Sequence, residues 1–151
     1  MNHKDLNVYQ RAYKIAIDLH ILLKNNIQEI DFTLANHLKR GARDVLGHIA
    51  EGFSKRSLKA KRYGYFLATE SAKRILIDLE FMHDIKNFPE KEYKHFAEEY
   101  DICIKQLFAL IRKIGESDGQ ANKKASEGES GTSTAVEKAD EPKEKKVAVT
   151  A

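Results

Sequence analysis

Residues 31–57 read DFTLANHLKRGARDVLGHIAEGFSKRS, and the apolar members of this stretch decide the fold. Leu34, Leu38, Ala42, Val45, Ile49 and Phe53 recur at intervals of four, four, three, four and four, the spacing of a single α-helical face packed against antiparallel neighbours. The helix starts near Asp31 or Thr33 and stops around Gly52 to Ser54. Upstream, a helix with Asp5 as its N-cap runs to about Asn25, with Val8, Ala12, Ile15, Ala16, Leu19 and Leu22 or Leu23 on one face. Downstream, a third helix begins after Ser57 and carries Tyr63, Phe66, Leu67, Ser71, Ile75, Leu79 and Met82 up to Asn87-Phe88-Pro89. Proline suits the first turn of a fourth helix, which follows Tyr93, Phe96, Tyr100, Cys103, Leu107, Leu110 and Ile114 to Gly115 as its C-terminal cap. Helices of about 20 to 28 residues are roughly 30 to 42 Å long, and short links force neighbours to be antiparallel. The expected fold is all-α, an up-down-up-down four-helix bundle.

The rest of the 151 residues is compositionally different. Residues 1–115 hold all 13 aromatics and 20 Lys and Arg against 15 Asp and Glu; residues 116–151 hold no aromatic and six Lys against eight Asp and Glu. Small polar and charged residues cannot bury enough apolar surface to offset the entropy of ordering. Residues 1–115 are therefore expected to form the bundle and 116–151 a disordered tail, with the KEKK run at 143–146 as its only concentrated charge. No stretch of 18 apolar residues and no secretory start precede or interrupt the bundle. A cytoplasmic protein with no membrane partner is expected, and the lone Cys103 fits a reducing compartment.

The densest chemistry lies around the second interhelical link. Lys39, Arg40, Arg43, Lys55, Arg56, Lys59, Lys61 and Arg62 face only Asp44 and Glu51, a local charge of +6 in a chain of +3. Such a patch attracts phosphates by counterion release, and Tyr63 and Tyr65 beside it would stack on unpaired bases. The plainer reading is a solvated charged corner with Tyr63 and Phe66 simply part of the core. A DNA-reading helix-turn-helix is disfavoured, because the link lacks its compact turn and the helices are too long.

Other chemistries find less support. Glu80 with His83 and Glu92 with His95 have the Glu-x-x-His spacing of di-iron bundles, but both pairs flank the Phe88-Pro89 hairpin and helix 1 has no Glu before its end. Cys103 shares a stripe with Tyr100 and Leu107 and is expected to be a buried thiol. Gly41, Gly47 and Gly52 are too widely spaced for a phosphate loop and suit close helix approach, within the chain or between subunits. Glu51 is expected to pair with Arg43, Lys55 or Arg74. No catalytic residue, metal site or cofactor is expected.

The segments DLNVYQRA, HLKRGARDVLGHIAEGFSKRS and YFLATESAKRILIDLEF together resemble the small bacterial four-helix-bundle proteins encoded within intervening sequences of large-subunit ribosomal RNA genes. The resemblance covers about residues 4–114 and is strongest at LKRGARDVLGHIAEG. That family is similar in fold to the accessory proteins of diversity-generating retroelements, which implies a homopentamer that binds nucleic acid and partners a reverse transcriptase. Three positions depart from its pattern: His48 replaces the Asn before Ile-Ala-Glu-Gly, Glu70-Ser71 replaces a Gly-Ser pair, and Arg74 replaces a Glu, which makes the local field more basic. The expectation is a non-enzymatic homo-oligomer binding structured RNA or DNA through this basic corner, Arg74 included. The alternative is a protein-interaction scaffold such as a reverse transcriptase subunit.

Overall fold

A computed structural model of the chain describes residues 1–128. A 3-10 turn over His3–Asp5 leads into α1 (Asn7–Asn25), α2 (Phe32–Ser54), α3 (Leu58–Asp84) and α4 (Glu90–Gly128), with no strand among the described residues. Each helix packs on two others in the cyclic order α1, α2, α3, α4, and the α2–α3 and α3–α4 seams are the most extensive. The antiparallel four-helix bundle is the fold.

The starts of α2 and α3 follow their caps. The Asp31 side chain accepts from the Leu34 amide at 2.9 Å, and the Ser57 hydroxyl accepts from the Ala60 amide at 3.1 Å. Asp5 does something else: with Asn2 it closes a reciprocal cap on the 3-10 turn, and Leu6, which has no side-chain cap, precedes α1. α3 ends where Lys86 adopts a left-handed φ of 57°. The Asn87 amide then donates to the Met82 carbonyl at 2.8 Å and the Lys86 amide to His83 at 3.0 Å, the paired closure of a Schellman motif. The Asn87 side chain also accepts from the Asp31 amide at 2.9 Å and donates to the Glu29 carbonyl at 3.0 Å, tying the two links at this end together.

The core confirms most of the expected faces. Val8, Ala12, Ile15, Ala16, Leu19 and Leu23 are buried on α1, Leu38, Ala42, Val45 and Ile49 on α2, and Phe96, Tyr100, Cys103 and Leu107 on α4. α3 departs from the expected register in its first half, while Ile75, Leu79 and Met82 are buried as expected. Its buried face is Gly64, Tyr65, Ala68, Thr69, Ala72, Ile75, Leu79 and Met82, whereas Tyr63 and Phe66 point outward. Small residues on α3 carry little apolar signal but allow the closest packing.

Gly52 and Gly64 mark that close approach. A Cβ on Gly64 would stand 2.5 Å from the Gly52 Cα, and one on Gly52 would meet the Lys61 carbonyl oxygen at 3.1 Å. Gly41 gives way to Ile75, whose Cγ1 a Cβ would meet at 3.0 Å, whereas Gly47 has nothing within 4 Å and takes no part in the packing.

The helix end expected at Gly115 is corrected. α4 continues to Gly128, through residues that are mostly exposed and add nothing to the core. Its first turns are already nucleated by packing, so Glu116, Gln120, Ala121, Lys123 and Lys124 extend it at little cost, and each interior glycine opposes this by only about 1 kcal/mol. The remainder of the expected tail, 129–151, lies outside the described residues.

One seam holds a polar knot. Arg11 on α1 donates to Glu99 on α4 at 2.7 Å, joining the two helices. Beneath them, burial pushes the Cys103 thiol up to about 12, with Arg11 drawing it down and Glu99 raising it further. The Tyr100 hydroxyl, buried without a hydrogen-bond partner, is likewise raised by burial and then by Cys103.

Two outcomes follow from this packing. Gly64→Ala should cost about 1–3 kcal/mol, because backbone must move to admit the methyl, whereas Gly47→Ala should gain about 0.5–1 kcal/mol by restricting the unfolded chain. Denaturant midpoints check both, and an unperturbed Gly64→Ala would remove the close crossing. Because Cys103 holds its proton more tightly when folded, its contribution to stability is present below the ordinary thiol range and is lost as pH rises toward 12. A disulfide reagent at pH 8 should label it at least a hundredfold more slowly in native protein than in denaturant, and equal rates would place it at the surface.

Candidate nucleic-acid interface

The structure places the basic segment in two groups. Lys39, Arg40 and Arg43 occupy one turn in the middle of α2, while Lys55 and Arg56 form the link and Lys59, Lys61 and Arg62 open α3. Arg43 and Lys55 are separated by about 18 Å along the helix axis. Arg40, Arg43, Lys55, Arg56 and Lys59 are exposed, and Lys39, Lys61 and Arg62 are partly covered. Lys61 is committed to the fold: its Nζ donates to the Phe53 carbonyl, at the end of α2 where a cation is favoured, and lies 5.2 Å from the Phe53 ring centre. The Arg62 guanidinium lies against Gly115 of α4. Arg74 faces Asp78 at 3.8 Å.

Of these nine cations, only Arg74 has a carboxylate within 4.0 Å among the described residues. Glu51 does not pair with Arg43, Lys55 or Arg74. Its nearest ionisable partner is His48 Nδ1 at 3.7 Å, because the helical spacing of three residues brings those two side chains together.

The aromatics near the link divide. Tyr65 is 3% exposed, packed against Gly52, and burial raises its hydroxyl pKa. It cannot meet a base. Tyr63 is 61% exposed and heads an outward stripe on α3 with Phe66, Ile77 and Phe81.

A second aromatic row, not foreseen, starts from the same end. The His3 ring lies 6.4 Å from Phe53 and 4.8 Å from Tyr9, and Tyr9 stacks on Tyr13 at 6.1 Å with an interplanar angle of 22°. Tyr13 is half exposed, and Ile17 and Ile21 extend the row at four-residue spacing. That spacing from Tyr9 to Ile21 is the sequence signal for it: an outward stripe on a helix whose inner face is already apolar. Between α1 and α2 the row borders a furrow with Ala16, His20, Arg43 and Leu46, continued past Tyr13 by Tyr9, Gln10 and Lys4.

Among the described residues neither Glu-x-x-His pair brings its own Glu within 4.0 Å of its His; His83 Nδ1 lies 3.4 Å from Asp84, and the His95 ring lies edge-on to Phe96. The His83 ring stacks on Tyr93 at 4.2 Å, with Nε2 4.0 Å from Glu90, across the α3–α4 hairpin. Among the described residues, no three His, Cys, Asp or Glu side chains gather as a metal site, and no helix is long and apolar enough to cross a membrane.

Comparison with known proteins adds a fold neighbour and a family. A crystal structure of a protein of unknown function from the S23 ribosomal protein family of Bacteroides thetaiotaomicron VPI-5482 has a TM-score of 0.64, at 16% identity, over 70% of this chain and 95% of that one. At that identity the likeness speaks for the fold. No curated protein matches the chain. The model of the 23S rRNA-intervening sequence proteins matches residues 4–109, from the 3-10 turn through all three interhelical links into α4. On that match, which takes in most of the core and the whole basic segment, the chain belongs to the family of 23S rRNA-intervening sequence proteins.

Proposed function

We propose that this protein is a non-enzymatic, homo-oligomeric helical bundle that binds nucleic acid through the basic end where α2 meets α3. The observation that carries this reading is the set of exposed cations at Lys55, Arg56 and Lys59 with no carboxylate of the described residues within 4.0 Å. Ion pairing usually neutralises surface charge in a chain with nearly balanced acids and bases, and unneutralised cations at one end retain their full attraction for phosphate. Lys39, Arg40, Arg43 and Arg74 extend the field along the bundle, with Lys61 and Arg62 contributing charge while anchored to α2 and α4. The ligand in this reading is structured RNA or DNA, since phosphate attraction does not distinguish the two.

Self-association rests on a different surface. Tyr63 with Phe66 and Ile77 with Phe81 expose two apolar patches along α3, separated by the charged Glu70, Lys73 and Arg74, and exposed apolar patches rimmed by polar residues mark protein contacts. A closed homomer covers them, with a pentamer favoured by the family resemblance. The same patches support a second reading, a scaffold that holds another protein such as a reverse transcriptase. No catalytic role, cofactor or metal enters either reading, and a cytoplasmic location accompanies both.

Replacing Lys55, Arg56 and Lys59 together by Gln should weaken RNA retention at low salt and lower the slope of log affinity against log salt by about 2, at roughly 0.7 per single-strand phosphate contact. Gln at Lys91, Lys94 and Lys105 is the control for net charge. Equal weakening by both sets, or no retention by wild type, would overturn the basic-end reading. Light scattering at micromolar concentration should return a multiple of the monomer mass, and Phe66→Lys with Phe81→Lys should return the monomer. A monomeric wild type would remove the oligomer.

A further inference from the structure

The furrow between α1 and α2 joins the two basic groups and has the chemistry of neither a core seam nor an ordinary polar surface. Its lower half is lined by Lys4, Tyr9, Gln10 and Tyr13, and ring contacts lead from Tyr9 through His3 and Phe53 to Lys61 at the basic end. Beyond Tyr13 come Ile17 and Ile21, with Leu46 as floor and Arg43 and His20 at the rim. Among the described residues no carboxylate lines either half. Of the nearby acids, Asp18 lines the α1–α4 cleft, Asp31 caps α2, Glu51 faces His48 and Asp44 is exposed on α2 outside the furrow's lining.

We propose that this furrow holds an unpaired stretch of nucleic-acid strand, with bases on the Tyr9 and Tyr13 rings and phosphates on Lys4 and Arg43. The inference rests on the nucleic-acid reading above and names the form of the ligand. Two constraints select it. Exposed ring faces beside a cation attract a flat base, and every base has a face to offer whatever its sequence. A duplex keeps its base faces stacked inside and presents phosphates alone, so it engages the cations but gains nothing from Tyr13. A second copy is a poorer occupant, because its α3 stripe would bring Lys59 and the ion pairs Lys73–Glu70 and Arg74–Asp78 against Arg43 and Lys4, a surface of mixed charge with less net attraction for these cations than a polyanion has. The furrow also explains how two cation groups about 18 Å apart act on one ligand: the strand follows the ring row from one to the other.

The test uses the full chain, an unstructured oligouridylate of about 12 nucleotides, within the usual range of single-strand site sizes, and a duplex RNA of equal length, followed by fluorescence anisotropy. Tyr13→Ala, and Tyr9→Ala with Tyr13→Ala, should weaken oligouridylate binding by tenfold or more and leave duplex binding within twofold. Tyr13→Phe should restore it, since the ring and not the hydroxyl does the stacking. Tyr13 is half exposed, so the single variant keeps its fold, and an unchanged thermal midpoint verifies this. The chain has no tryptophan, so quenching of tyrosine emission by the oligonucleotide reports stacking directly and should fall in Tyr13→Ala. If both alanine variants bind oligouridylate like wild type while the basic-end variant does not, the furrow proposal fails and the basic-end reading stands. If wild type binds neither RNA, both fail. If Tyr13→Ala lowers the assembly mass instead of the affinity, the furrow is a subunit contact and the proposal is overturned.

Discussion

The contact on which this structure depends is the meeting of Gly52 and Gly64, where the backbones of α2 and α3 come too close for any side chain on Gly64. Twelve residues separate these glycines, so the crossing clamps the hairpin just above its link and leaves Lys55, Arg56 and Ser57 to turn the chain in a tight loop. A link this short cannot fold its cations back against the bundle. They stay in water at one end, while two of those that follow in α3 turn onto the bundle, Lys61 onto the Phe53 carbonyl and Arg62 against Gly115. The Gly of the Ile-Ala-Glu-Gly motif therefore has a mechanical reading, since it lets α3 cross, and the charge of the neighbouring residues follows from what that crossing excludes.

The opposite side of the bundle is held differently. α1 meets α4 through Arg11 and Glu99 over a buried tyrosine and thiol, and a polar pair of this kind fixes register more than it adds stability. With α1 attached by its inner face and one ion pair, its outer row from Tyr9 to Ile21 is left uncovered. The furrow and the basic end are thus consequences of one arrangement: a tight α2–α3 hairpin and a first helix laid beside it, whose ring-bearing face starts where that hairpin ends.

Much of this was legible from spacing alone. The α2 seam announced itself because Leu38, Ala42, Val45 and Ile49 are both apolar and regularly spaced, and Asp31 and Ser57 are residues whose side chains cap helices for local reasons. α3 was harder. In its first half Gly64, Ala68 and Ala72 face inward while Tyr63 and Phe66 face out, against a pattern that equates size with burial, whereas Ile75, Leu79 and Met82 in the second half obey it. Gly115 misled in the other direction: glycine ends a helix when the chain must turn, and nothing requires α4 to turn there. The charged residues showed where charge is dense but not how it is shared, which depends on the distance along α2 and on partners such as His48 that only the folded helix brings near. The aromatic row on α1 was written at four-residue intervals, but its link to the basic end passes through Phe53 and His3, residues fifty positions apart in the chain.

The central claim is that one continuous surface, the furrow of α1 and α2 and the basic end below it, receives RNA. Ultraviolet crosslinking of the full chain to unstructured RNA, with the attached peptides identified by mass spectrometry, tests it most directly. The account predicts adducts on the peptides that carry Tyr9 and Tyr13 and on those spanning residues 39–62, with none on the first half of α4. Adducts confined to α4, or to the outer stripe of α3, would contradict it.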